Sequence, residues 1–195
     1  ATSVMTMIIW SFGFLRMGTV GLVAQSFGKS DYREIVRILL RNFIIALVVA
    51  FLIIFLKPVI LNLINFFFLV SIDTQDLINT YLSVRVFSIP AEFTIYILIG
   101  FYLGIQKTKI SSSLIVILSI LNMVLSSFFV LSMNLDILGV ALGTLLASYL
   151  TAILFLLYTH KFIIKKFKII PTFQKLLIQS KLIKLLNINF DIFIR

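Results

Sequence analysis

Cysteine is absent from the 195 residues of this sequence, and histidine occurs once, at His160. Without cysteine there is no disulfide framework and no thiolate chemistry, and one histidine cannot build a multi-histidine metal site. The sequence also lacks a P-loop, a GxSxG nucleophile elbow, an HExxH helix and paired acidic residues with metal spacing. These absences predict a protein that is not an enzyme and that holds no metal or organic cofactor.

Charged residues are scarce as well, at 12%, whereas hydrophobic residues make up 61% and the mean hydropathy is +1.17. A soluble domain cannot bury so large an apolar fraction, so the composition predicts an all-α, polytopic transmembrane helix bundle in a lipid bilayer. The net charge of +10 does not indicate a nucleic-acid partner, because no basic motif is interleaved with aromatic residues on a polar surface. Membrane topology explains the charge better.

Five stretches are long and apolar enough to cross a bilayer, which takes roughly 20 residues. The predicted spans are 1–27, 38–60, 77–106, 110–133 and 137–164. Pro90 predicts a tilt or kink in the third span. Residues 62–72 are interpreted as an outer loop or interfacial piece. A basic amphipathic cytoplasmic linker is predicted at 165–189, followed by the start of another transmembrane helix at 190–195.

Basic residues concentrate in alternate connections. Lysines and arginines follow the first, third and fifth spans, beginning with Lys29, Arg33, Arg37 and Arg41 after the first. The positive-inside rule therefore predicts a multi-pass protein of the inner (plasma) membrane with its basic loops in the cytoplasm. The first span then runs from outside to inside, so an odd number of spans is expected upstream. Both ends of the chain look cut.

Polar groups inside the first and third spans are candidate functional residues. Arg16 would lie well inside the hydrocarbon and is expected to face a protein or water-lined interior, or to be tied to backbone carbonyls of adjacent helices. Arg85 and Glu92 are two helical turns apart, too far for a close pair unless both side chains bend, so Arg85 is expected to snorkel to the outer surface. Desolvation favours the neutral form of Glu92, which is hypothesised to bind a proton; its alternative is a hydrogen bond to a neighbouring helix.

The fourth span has a polar stripe in which Ser119, Asn122 and Ser126 share one helical face. The stripe is expected to form hydrogen bonds between helices, and the sharper hypothesis is that it lines a cavity and contacts substrate. Small-residue spacings predict close helix packing. The glycines in these spacings are Gly18, Gly21, Gly100, Gly104, Gly139 and Gly143.

These residues resemble the multidrug and toxic compound extrusion (MATE) transporters, and within them the DinF-like branch. The run FLRMGTVGLVAQ from Phe14 to Gln25 is similar to that branch's second helix, and Arg85 with Pro90 and the Gly100-xxx-Gly104 spacing resembles its fourth. Further similarity extends through the fifth and sixth helices to the next helix, at Asn122, Gly139-x-Ala141 and Asn189-x-Asp191.

The resemblance implies a complete protein of twelve helices in two lobes, with substrate bound in a central cavity. The chain would be helices two to six of the N-terminal lobe plus the linker, and its partners would be the bilayer, small organic substrates and the missing C-terminal lobe. The implied activity is antiport: cationic or amphiphilic organic compounds leave by alternating access in exchange for protons or sodium. No nucleic acid is expected as a partner.

Two departures from the family pattern concern the coupling ion. The family's acidic residue on the first helix lies outside this chain, and Ser126 stands where relatives carry an aspartate. Glu92 is therefore hypothesised as a substitute protonatable group. Two alternatives stay open: a lipid-linked oligosaccharide flippase of related architecture, whose basic residues would hold pyrophosphate, and a non-transporting membrane scaffold or fragment.

Overall fold

The structure, a computed structural model, describes residues 2–67 and 72–169, and this part of the chain is helical without a strand. The eight α-helices are α1 (Thr2–Ser11), α2 (Phe14–Gly28), α3 (Tyr32–Phe55), α4 (Lys57–Phe67), α5 (Ile72–Arg85), α6 (Ile89–Gly104), α7 (Thr108–Ser127) and α8 (Asp136–Phe167). A 3₁₀ turn, Val86–Ser88, separates α5 from α6, and a π-helical turn, Phe128–Ser132, ends α7. The predicted linker beyond residue 169 and the helix start at 190–195 lie outside the described residues.

Within residues 2–67 and 72–169, five helical stretches are long and apolar enough to cross a membrane. They are Met5–Gly28, Tyr32–Phe55, Thr74–Gly104, Thr108–Ser132 and Asp136–Phe167. The fold class predicted from composition is therefore confirmed. Successive stretches run in opposite directions, so the ends of α2, α6 and α8 meet the starts of α3 and α7 at one end of the bundle, which we call the basic end.

The second span starts six residues earlier than the predicted 38. The Asp31 carboxylate accepts a hydrogen bond of 3.0 Å from the Glu34 backbone N–H, which caps the first turn of α3. Arg33, Arg37 and Arg41 consequently lie within α3, and their assignment to the preceding connection is wrong. Arg41 is 1% exposed and bonds Glu34 at 2.9 Å, so it is a buried member of an ion pair.

The same span also ends earlier than predicted, at Phe55, and the chain resumes as α4. Pro58 sits in the first turn of α4, where its missing N–H leaves no hydrogen bond broken. Residues 62–67 of the predicted outer loop or interfacial piece are thus helical, which corrects the loop interpretation. Val59 and Leu63 of this helix are exposed.

The α-helix of the third span is interrupted by a 3₁₀ turn just before Pro90. Because proline has no N–H, the Val86 carbonyl cannot accept the regular helical bond from it; the Ile89 N–H bonds that carbonyl instead, which produces the 3₁₀ turn. α6 follows with Pro90 in its first turn. The end of α5 and the start of α6 line the same cavity.

α6 is the central helix of the bundle. In the most apolar window of the third span 78% of the residues are buried, against 6% for the fourth. Gly100 and Gly104 let α2 approach α6 closely: a Cβ on Gly100 would lie 2.8 Å from Thr19 Cβ, and one on Gly104 would lie 2.7 Å from Val23 Cβ. α7, in contrast, presents most of its surface to the surroundings.

A second glycine seam joins α8 to α7. A Cβ on Gly139 would lie 3.0 Å from the Phe129 backbone carbon, and one on Gly143 would lie 2.6 Å from Ser126 Cα. Gly18 is buried in α2. Gly21 is exposed, and no atom of the described residues lies within 4 Å of a Cβ built on it, so its predicted role in helix packing stays a prediction.

Candidate functional site

A polar cavity of about 240 Å³ lies between α1, α6, α7 and α8, at the point where α5 ends. Polar or aromatic side chains make up much of its lining. They are Thr6, Trp10, Arg85, Glu92, Tyr96, Asn122, Thr144 and Ser148. Ile9, Ile95 and Leu118 complete the wall. We call this space the lobe cavity.

One wall of the lobe cavity carries an ion pair built around Ser88. Arg85 Nη1 contacts both Glu92 Oε1 and the Ser88 hydroxyl oxygen, and Ser88 Oγ lies 2.9 Å from the same carboxylate oxygen. The prediction that Arg85 snorkels to the outer surface is wrong, because its side chain is only 11% exposed and bends towards Glu92. The buried carboxylate therefore has its countercharge within its own helical span, in place of the predicted hydrogen bond to a neighbouring helix.

The opposite wall carries the Asn122 amide. Its Oδ1 accepts a hydrogen bond of 3.0 Å from the Ser126 hydroxyl, and Thr144 Oγ1 of α8 lies 3.1 Å from the same oxygen. Among the described residues no group accepts from Asn122 Nδ2, so one end of the amide is fixed and the other is free to bind a ligand. Ser119 takes no part, since it is exposed and donates to the Ile115 carbonyl.

Arg16 lies beside the lobe cavity without lining it. Its guanidinium carbon is 5.9 Å from the centroid of the Tyr96 ring, which itself faces the cavity. A cation over a tyrosine ring at this distance is attracted by the ring quadrupole. No hydrogen bond from the Arg16 side chain to a backbone carbonyl occurs in the described part of the chain. Arg16 thus adds positive charge behind Tyr96.

The structure brings four of the five sequence-predicted pathway residues to one place. Arg85, Glu92 and Asn122 line the lobe cavity, and Ser126 holds Asn122. Sequence reasoning missed Tyr96, Thr144, Ser148, Trp10 and Ser88. The sequence held a signal for two of them. Thr144 directly follows the Gly139-xxx-Gly143 spacing, and Ser148 lies four residues further along α8, on the same helical face. Within the described residues no three histidine, cysteine or acidic side chains cluster as metal ligands would.

Similarity to known proteins identifies the family of this chain. The model of the MatE family matches residues 1–128, about two thirds of the chain. The chain belongs to the MATE family. It is 32% identical over all of its 195 residues to the DNA damage-inducible protein F of Escherichia coli (strain K12). The alignment covers 42% of that relative, so the chain spans about two fifths of its length.

Solved structures of MATE family transporters have the same fold. An inward-facing multidrug resistance MATE transporter of the MOP superfamily matches with a TM-score of 0.82 and 21% identity, covering 94% of this chain and 41% of that one. An outward-facing one matches with a TM-score of 0.79 and 19% identity, covering 97% and 42%. The arrangement of helices in this chain therefore fits both conformations nearly equally well.

Proposed function

We propose that the chain forms the N-terminal lobe of a secondary antiporter that exports cationic or amphiphilic organic compounds in exchange for protons. The observation that carries this proposal is the lobe cavity, in which a carboxylate, an amide and two aromatic rings face one space inside a MATE fold. Ionisable groups within membrane spans are costly and commonly mark substrate or ion paths. The basic end is proposed to face the cytoplasm of an inner membrane, following the positive-inside rule.

The cavity chemistry fits an organic cation. Trp10 and Tyr96 present aromatic faces, which attract cations, and Glu92 supplies a negative charge. Arg85 already neutralises Glu92, so a cationic substrate must displace Arg85 from the carboxylate to gain the full attraction. A proton competes for the same oxygen. Binding of substrate and binding of proton at Glu92 are then mutually exclusive, which is the requirement for antiport.

The similarity to both inward-facing and outward-facing structures supports alternating access by a lobe that keeps its shape. A rocking mechanism needs two bodies that move against each other around a fixed midplane site. We propose that the second body is a C-terminal lobe, with which the lobe cavity forms one central binding space. The flippase alternative receives less support, since Arg85 is the one basic residue among the described lining residues and the adjacent Glu92 carboxylate would repel pyrophosphate.

Replacing Asn122 with alanine tests whether the lobe cavity binds substrate. In proteoliposomes containing the full-length gene product, Asn122→Ala should raise the KM for a fluorescent organic cation such as ethidium by about fivefold, the effect of losing one hydrogen bond. The kcat should change little. Ser119→Ala is the matched control, because Ser119 lies on the same helix and bonds only its own backbone. If both variants transport alike, Asn122 does not contact substrate.

Wild-type protein that moves ethidium under neither a proton nor a sodium gradient would refute the transport proposal itself.

A further inference from the structure

A second cavity, of about 510 Å³, opens at the basic end of the bundle, away from the lobe cavity. It lies where α2 and α6 end, α3 begins and α8 ends. Its lining contains Phe27, Tyr32, Gln106, Lys107, Phe162, Lys166 and Phe167, with Ile105 at its base. We call it the basic-end pocket. Ligand pockets for small molecules have volumes of about 300–1,000 Å³.

One side of this pocket is an aromatic wall. The rings of Tyr32 and Phe167 stack with centroids 4.8 Å apart. Phe27 meets the Tyr32 ring at 6.4 Å, and Phe162 meets the Phe167 ring at 5.8 Å. The four rings come from three different helices and hold one another in place. Tyrosine and tryptophan are enriched at the headgroup level of membrane proteins, where Tyr32 at the end of this bundle would lie.

The other side carries positive charge without a countercharge. Lys107 and Lys166 are exposed, and neither makes an ion pair with a carboxylate in the part of the chain that the structure describes. The pocket lining contains no acidic residue. Two ammonium groups beside a wall of apolar rings match an amphiphile whose anionic head meets the lysines and whose apolar part lies against the rings.

The position of Lys107 is fixed by the backbone around it. Gln106 adopts a left-handed conformation with φ 60°, and the Lys107 N–H donates to the Tyr102 carbonyl at 2.7 Å. This turn closes α6 and starts α7, so the Lys107 backbone is anchored to the central helix. Lys166 lies in the last turn of α8, next to the stacked ring of Phe167. The two lysines are therefore presented by helix ends that pack within one bundle.

We infer that the basic-end pocket binds the phosphate headgroup of an anionic phospholipid from the leaflet that surrounds it. The lysines hold the phosphate, and the rings of Tyr32 and Phe167 cover the glycerol and first methylene groups. Such a lipid would link the ends of α2, α6 and α8 with the start of α3. This inference does not depend on the transported substrate.

The test measures binding of acyl-chain-labelled fluorescent phosphatidylglycerol and phosphatidylcholine to the purified full-length gene product in a neutral detergent by fluorescence anisotropy. Wild-type protein should prefer phosphatidylglycerol. The double variant Lys107→Gln/Lys166→Gln should lose about fivefold in that preference for each lysine removed. The matched control is Lys109→Gln/Lys161→Gln, which removes the same charge from exposed lysines at the same end that do not line the pocket.

Three outcomes would overturn the inference. Equal losses in the two double variants would mean that the preference comes from the overall positive charge of the basic end. An unchanged preference in Lys107→Gln/Lys166→Gln would mean that the lipid binds elsewhere. Displacement of phosphatidylglycerol by an equal concentration of inorganic phosphate would identify a site for free phosphate. Circular dichroism of both variants establishes that a loss does not come from unfolding.

Discussion

Glu92→Gln should abolish most proton-driven export by the full-length gene product, with a fall on the order of tenfold or more. Glutamine keeps the shape of the side chain but cannot bind or release a proton, and it leaves Arg85 without its countercharge in the lobe cavity. The rate of ethidium export in proteoliposomes should also become nearly independent of the proton gradient, because the carboxylate proposed to carry the proton is gone. Equilibrium binding of ethidium to the variant should also be measured. An unchanged affinity means that coupling to protons is lost, whereas a lower affinity means that substrate binding is lost.

Glu34 provides the matched control for this prediction. It is the only other glutamate of the chain and also pairs with an arginine seven residues away, Arg41, but at the basic end and outside the lobe cavity. Glu34→Gln should change folding stability and leave the dependence of export on the proton gradient as in wild type. Unchanged export and unchanged dependence on the proton gradient in Glu92→Gln would defeat the proposed role of Glu92.

Gly143→Ala should cause a clear loss of stability, because the added methyl group has no room between α7 and α8. The added Cβ would stand 2.6 Å from both Ser126 N and Ser126 Cα, closer than side-chain carbons approach backbone atoms. α7 and α8 would have to separate, and overpacking of this kind costs about 1–3 kcal/mol. The separation would also move Thr144 away from Asn122, so export should fall with stability.

Gly21→Ala is the matched control for Gly143→Ala. Nothing lies within 4 Å of the added methyl group in the described residues, and alanine favours a helix over glycine by about 1 kcal/mol. The melting midpoint of the purified chain in detergent should therefore drop for Gly143→Ala and stay level or rise for Gly21→Ala. Two equal midpoints would mean that the α7–α8 seam tolerates a methyl group and is not closely packed.

Much of the fold could be predicted because membrane insertion depends on summed hydrophobicity, which a sequence displays directly. The number and order of the spans came from that property alone. The start of α3 was misjudged although a signal was present: Asp31 and Glu34 have the spacing of a capping box, which places a helix start before Tyr32. With the helix start placed there, Arg41 is assigned to α3 and not to a basic loop.

The candidate site was only half predictable, for a geometric reason. Arg85 and Glu92 were identified as polar groups in an apolar span, but their pairing depends on the 3₁₀ turn at Val86–Ser88 and on Ser88 between them. Sequence spacing assumes a regular helix and therefore places the two side chains too far apart. Tyr96 and Thr144 enter the site only through the packing of α6, α7 and α8, which no local pattern specifies.

If the lobe cavity is a water-accessible substrate site, a single cysteine placed in it should react with a water-soluble thiol reagent. The chain contains no cysteine, so Thr144→Cys introduces a single thiol into these 195 residues. In membranes containing the full-length gene product, cleared of any other cysteine, this thiol should react with a membrane-impermeant maleimide, and saturating ethidium should protect it. Ile153→Cys, on the exposed apolar surface of α8, should react slowly with or without ethidium. If Thr144→Cys reacts as slowly as Ile153→Cys, the lobe cavity is not accessible to water. If ethidium leaves the labelling of Thr144→Cys unchanged, the lobe cavity is not the substrate site.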